Sequence, residues 1–246
     1  MDNIITKAAK VAGLEVTPEE LKLINQYAIK DLTVEEVFTF KVAICDNEVD
    51  RDFEVFPTET LEKMAELYIG KTIISNHQNK SENQCARIYA TEVVDDTGTT
   101  KNGETYAKLV AHCYMVKTDS NKDLITDISG GIKKEVSVGC RVASATCSIC
   151  GKDNRKYWCE HYPGREYEGK SCYFALENPT DAYEVSFVAV PAQPNAGVTK
   201  SYGGEKEKSK PDNDTEKDLT AKLLEAKLEL VKSFIFVSEK ENESNE

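Results

Sequence analysis

The sequence predicts an α+β fold: a β-barrel-like core flanked by helices, with a small Cys/His insertion and a flexible acidic C-terminal tail. Three observations lead there. Strand-like stretches rich in β-branched and aromatic residues recur between residues 36 and 190, with only two or three helical patterns among them. A polar segment containing Cys147, Cys150, Cys159 and His161 interrupts the later strands. After Pro191 the composition turns to charge and Gly, and residues 203–246 hold twelve acids and eight bases. The expected organisation is a helical extension over residues 1–35, a core over 36–200 that includes the 147–161 insertion, and an acidic linker over 201–246.

The individual elements have local causes. Residues 17–27 (TPEELKLINQY) place Thr at an N-cap, Pro at the first helical position and acids in the first turn. Residues 36–45 (EVFTFKVAIC) alternate as a strand. A charged loop over 46–52 leads to a helix over 58–70, with Thr58 as cap, Leu61, Met64, Ala65 and Tyr68 on one face and Gly70 as stop. Strands are expected at 71–75, 86–94 and 105–116, a helix at 119–129 closed by Gly130 and Gly131, and further strands at 135–143, 171–176 and 182–190. In the tail, residues 219–237 carry Leu219, Leu223, Ala226, Leu230 and Val237 near heptad spacing, the pattern of a tethered helix that pairs with another chain. The rest of the tail is too polar to offset its ordering entropy.

Charge and hydropathy exclude several classes. The 246 residues include 43 acids and 31 bases, a formal net charge of −12. Nucleic-acid affinity comes from neutralising phosphates with Lys and Arg, so no nucleic-acid partner is expected. No window approaches the ~20 consecutive apolar residues of a membrane span, and no apolar stretch with a small-residue cleavage site opens the chain. The eight cysteines are therefore expected as thiols or metal ligands.

Four of the potential ligands cluster. Cys147-Ser-Ile-Cys150 is followed by Gly151 and, with eight residues between Cys150 and Cys159, by Cys159-Glu-His161. A two-residue gap lets both sulfurs reach one cation around a tight turn, with Gly151 free to take positive φ. Four N/S ligands without a carboxylate suit a closed, structural Zn2+ site; Cys172 is an alternative to His161. There is no HExxH, so a zinc metallopeptidase is not expected.

His77 lies in the loop SNHQNK after a short strand, and Ser137 within the strand-like Glu135-Val-Ser137-Val-Gly139. Together with Asp50-Arg51-Asp52 ahead of Phe56-Pro57, and with Glu184-Val-Ser-Phe-Val-Ala-Val-Pro191-Ala192, these motifs resemble the prohead (capsid maturation) serine proteases of tailed phages. The resemblance spans residues 37–196, and that family is similar in fold to the herpesvirus assembly proteases, a β-barrel flanked by helices. It implies a serine endopeptidase with Ser137 as nucleophile and His77 as general base, needing no cofactor for catalysis. The third member is expected at Glu184, a carboxylate among apolar strand residues that requires a partner. His112 and Asp181 remain alternatives for it, since the herpesvirus enzymes use a second histidine there. Cys140 falls on the opposite strand face from Ser137, so only one of them can meet His77.

The resemblance also implies the setting: a prohead assembling in the cytoplasm of a bacterial host, with major capsid and scaffold proteins as substrates, and removal of the enzyme's own tail. Homo-oligomerisation is compatible with it. The Cys-rich insertion, the 35-residue extension and the acidic tail depart from the family pattern. The competing expectation is a non-catalytic phage head-assembly protein with a zinc-stabilised protein-docking module.

Overall fold

In a computed structural model of the chain, residues 16–199 are described; the expectations for residues 201–246, including the helix at 219–237, lie outside them. The elements run α1 (Pro18–Asn25), β1 (Val37–Asp46), β2 (Glu54–Val55), α2 (Thr58–Tyr68), β3 (Thr72–Ser75), β4 (Ala86–Thr99), β5 (Thr105–Val116), α3 (Lys122–Ser129), β6 (Val136–Cys147), β7 (Glu166–Tyr167), β8 (Lys170–Ser171), β9 (Phe174–Phe187) and β10 (Gly197–Val198). None of the described helices is long and apolar enough to cross a membrane.

The fold is mixed α and β around one large sheet, ordered β10-β1-β5-β4-β3-β9-β2, with β6 also on β9. The expected barrel is not closed by continuous ladders. β10 has only two residues, and the gap from it to β6 is crossed by the single bridge Glu135↔Gly197 with the bonds Val136 N–H to Ala196 O and Val198 N–H to Lys134 O. So short a strand cannot zip two edges together.

Local chemistry explains the elements. Thr17 and Glu20 form a reciprocal capping box at α1, with Pro18 in the first turn. Along α2, Leu61, Met64 and Tyr68 recur on one face and are fully buried against the sheet. Thr58 is not its cap: the N-cap is Pro57, and the Thr58 hydroxyl instead accepts from Asn47 Nδ2. The two strands expected at 171–176 and 182–190 are one 14-residue strand, β9, while residues 188–190 are not strand. Asn178 takes φ 55° beside a register shift in the β6 pairing, and this bulge accommodates Pro179 without ending the strand.

β9 is the strand on which the candidate site is built. One edge pairs with β6 along its length, and the other holds β2 and then β3, both parallel. Val136, Val185 and Phe187 pack into the core with Ile73, so the intervening residues of β6 and β9 face away from it.

Candidate functional site

Register places the predicted residues in two rows. Ile74, Ser186 and Ser137 lie opposite one another across β3, β9 and β6; Thr72, Glu184 and Gly139 form the next row on the same face. Ser137 is thus the direct cross-strand neighbour of Ser186, with Cβ atoms about 5 Å apart in such pairs, and Glu184 is one diagonal away.

His77 arrives over this face from the end of β3. Asn76 and His77 are both left-handed, with φ 54° and 51°, a conformation that costs non-glycine residues energy and must be held by surroundings. The holds are visible. Asn76 N–H donates to Phe187 O at 2.9 Å and His77 N–H to Ser186 Oγ at 2.8 Å. The ring then places Nδ1 2.9 Å from Glu184 Oε1. Glu184 is 5% exposed in its side chain and His77 44%, so the carboxylate is sheltered while the imidazole reaches solvent. With its proton on Nδ1 and donated to Glu184, the ring leaves Nε2 as an acceptor, and Nε2 has no hydrogen-bond partner among the described residues.

Gly139 makes room for this pair. Its φ is not left-handed, so conformation does not demand glycine. Space does: a Cβ there would fall on Glu184 Oε1 and lie 3.3 Å from its Cδ. Behind Gly139, the buried Tyr68 hydroxyl donates to its carbonyl at 3.2 Å. Burial first, and then the nearby thiols and Glu184, push the Tyr68 phenol well above its ordinary range, so it stays a neutral donor.

The alternatives to Glu184 sit elsewhere. His112 is on β5, with Nε2 2.8 Å from Glu92 and its ring edge-on to Tyr89, separated from β9 by β4 and β3. Asp181 lies opposite Arg141 and 3.7 Å from Lys71 Nζ. Cys140 packs against the core, on the face away from Ser137. Sequence reasoning missed Ser186, although its spacing two residues from Glu184 in an otherwise apolar run puts both on one face.

The Cys/His group assembles at the far end of β6. The ligand atoms of Cys147, Cys150, Cys159 and His161 all lie within 4.8 Å of one another, and can hold a metal ion. Cys150 Sγ is 3.5 Å from Cys159 Sγ, which is 3.4 Å from His161 Nδ1, close to the ~3.8 Å edge of a tetrahedron of 2.3 Å metal–sulfur bonds. Gly151 takes φ 69° and returns its N–H to Cys147 O, while Ile149 N–H and His161 N–H point at the sulfurs of Cys147 and Cys159. A bond from the Lys152 N–H pulls the Cys150 thiol below its ordinary value, whereas burial pushes the Cys159 thiol up to about 11. Cys172 stands 4.0 Å from Cys147 Sγ but outside the group of four. Ten residues of strand, roughly 30 Å, separate Cys147 from Ser137, so this group takes no direct part in chemistry there.

No family model, curated protein or solved structure matches the chain.

Proposed function

We propose that the protein is a serine endopeptidase with Ser137 as nucleophile, His77 as general base and Glu184 as the group that orients the imidazole and balances its charge. The observation that carries this reading is the 2.9 Å contact between His77 Nδ1 and the buried Glu184, on the sheet face that also bears Ser137. A serine hydroxyl is a weak nucleophile until a base takes its proton. His77 Nε2 takes it as the Ser137 oxygen bonds to the scissile carbonyl carbon. The carbon–nitrogen bond then breaks, and the amine leaves with the proton from Nε2. Water attacks the acyl-enzyme, giving its proton to Nε2, and the acid is released as Ser137 recovers a proton. Glu184 remains ionised throughout and stabilises the imidazolium.

The motifs favour the capsid-maturation setting, with scaffold and major capsid proteins and the enzyme's own tail as substrates. The Cys147/Cys150/Cys159/His161 group is read as a structural Zn2+ site: it has no carboxylate, and closing four ligands organises a polar loop. One observation favours a second reading, a zinc-stabilised docking module without turnover. Tyr157, Trp158 and Tyr162 stand exposed on the same insertion, an aromatic surface of the kind that anchors protein contacts.

Intact mass followed over time, for wild type beside Ser137→Ala and with and without the cognate capsid protein, separates the two. Discrete shortening in the wild type alone is expected. If both proteins stay full length with capsid protein present, the peptidase reading fails and the docking reading takes its place.

A further inference from the structure

Five potential ligand side chains meet at the end of β6, one more than a tetrahedral metal site uses. The fifth is Cys172, fully buried two residues ahead of β9, with its sulfur 4.0 Å from that of Cys147. The remaining thiols, Cys150 and Cys159, form a second close pair at 3.5 Å. We propose that the insertion is a redox switch: a hydroperoxide oxidises it to two disulfides, Cys150–Cys159 and Cys147–Cys172, and the metal leaves. The inference rests on the structural-metal reading of the Cys/His group and adds its regulation.

The two pairs differ in access. Cys150 is exposed whereas Cys147, Cys159 and Cys172 are buried, so the oxidant enters at Cys150. Its sulfur attacks a peroxide oxygen; the O–O bond breaks, leaving a sulfenic acid and a hydroxide that takes up a proton as water. Cys159 attacks the sulfenic sulfur, the S–O bond breaks and a second water departs. The metal has then lost two of its four ligands. Cys147, within 4.8 Å of both sulfurs, attacks the new disulfide at Cys150, and Cys159 leaves as a thiolate. Cys172 attacks Cys147 in turn, its proton passing to Cys150 as that sulfur leaves. A second peroxide closes Cys150–Cys159 again, so two peroxides take four electrons and end as four waters. The backbone already brings the buried pair together. Cys147 is in register with Phe174, and the stems are tied by Ser148 N–H to Tyr173 O at 2.9 Å and Tyr173 N–H to Ser148 Oγ at 3.0 Å. Oxidation therefore keeps the stem of the insertion closed while it frees His161. Tyr157 and Trp158 precede Cys159 and Tyr162 follows His161, so the exposed aromatic surface changes with the redox state.

The switch is tested on the full chain, reduced, given zinc and then treated with hydrogen peroxide, for wild type and for Cys172→Ala. Elemental analysis, thiol titration and non-reducing peptide mapping follow the metal and the bonds. In the wild type, bound zinc is expected to fall at least about tenfold, both disulfides to appear, and the eight thiols to drop by about four. Cys172→Ala keeps the four ligands, so it binds zinc as the wild type does, forms only Cys150–Cys159 and loses about two thiols. Emission of Trp158, the chain's single tryptophan, shifts on oxidation of the wild type. Four results overturn the switch and leave the metal reading standing: zinc retained under peroxide, zinc released without a Cys147–Cys172 link in the wild type, unchanged Trp158 emission, or zinc missing from folded, reduced Cys172→Ala. Reduced wild type that takes up no zinc removes both. The disulfide map of the wild type decides the matter even where the variant misfolds.

Discussion

Replacing Gly139 with Ala isolates the His77–Glu184 contact without touching either residue. The added methyl falls inside van der Waals contact of Glu184 Oε1, and Glu184 is held in a buried niche with Oε2 lacking any hydrogen-bond partner. The carboxylate must therefore move by roughly an ångström to regain ordinary contact. That stretches the 2.9 Å bond to His77 beyond hydrogen-bond range. An ångström of misplacement costs about 100-fold in rate, and full loss of the orienting carboxylate in a triad about 10⁴-fold, so under the peptidase reading the expected loss of kcat lies between the two. Overpacking destabilises by about 1–3 kcal/mol, partly offset because Ala suits a strand better than Gly. The assay pairs peptide turnover with the NMR resonance of the His77 Nδ1 proton, which reports the hydrogen bond to Glu184 directly. Val138→Ala, on the core face of the same strand, is the control: it lowers stability and leaves both readouts near wild type. A Gly139→Ala protein that turns over within about threefold of wild type, with the Nδ1 proton resonance unchanged, refutes the spacing argument.

Two further perturbations address other parts of the molecule. Protein purified without chelator is expected to carry about one zinc per chain by elemental analysis; chelation should speed hydrogen exchange across residues 147–172 while leaving fluorophosphonate labelling of Ser137 within a few-fold, and a metal-free preparation would contradict the structural-site reading. The bond from His112 draws the Glu92 carboxyl down to about 2, so its stabilising contribution is present above the unfolded value near ~4.3 and is lost as pH falls through the folded one. Because Glu92 is half exposed, Glu92→Gln should cost only about 0.5–1 kcal/mol at neutral pH, with the difference from wild type closing toward about pH 2 in urea unfolding; a pH-independent difference would contradict the linkage.

What is legible in the sequence is what local chemistry decides. The strand Thr105–Val116 has its predicted bounds, because alternation ends at a turn and at Lys117. The α1 cap and the Gly151 turn are also as expected from short-range rules. The grouping of His77 with Glu184 rather than with His112 depends on strand order, which no local pattern contains; Glu184 is legible only as a charge in an apolar run. The break expected between the strands at 171–176 and 182–190 is absent, because a bulge absorbs Asn178 and Pro179 once β6 supplies the pairing. The barrel fails for a similar reason, since closure depends on the length of β10 and its contact with β6 rather than on the number of strands.

The strained backbone at Asn76 and His77 ties fold to chemistry. Two adjacent left-handed residues cost on the order of 1–3 kcal/mol each, and neither is glycine. Relaxing the turn would move the imidazole away from Glu184, so something must hold it there in the free protein. All three holds come from the last four residues of β9: Phe187 O, Ser186 Oγ and Glu184 Oε1. β9 resists displacement because β3 and β6 grip its two edges at those residues. The imidazole is therefore held in place by sheet pairing within the free protein. Under the peptidase reading proposed above, preorganisation of this kind lowers the reorganisation required during reaction.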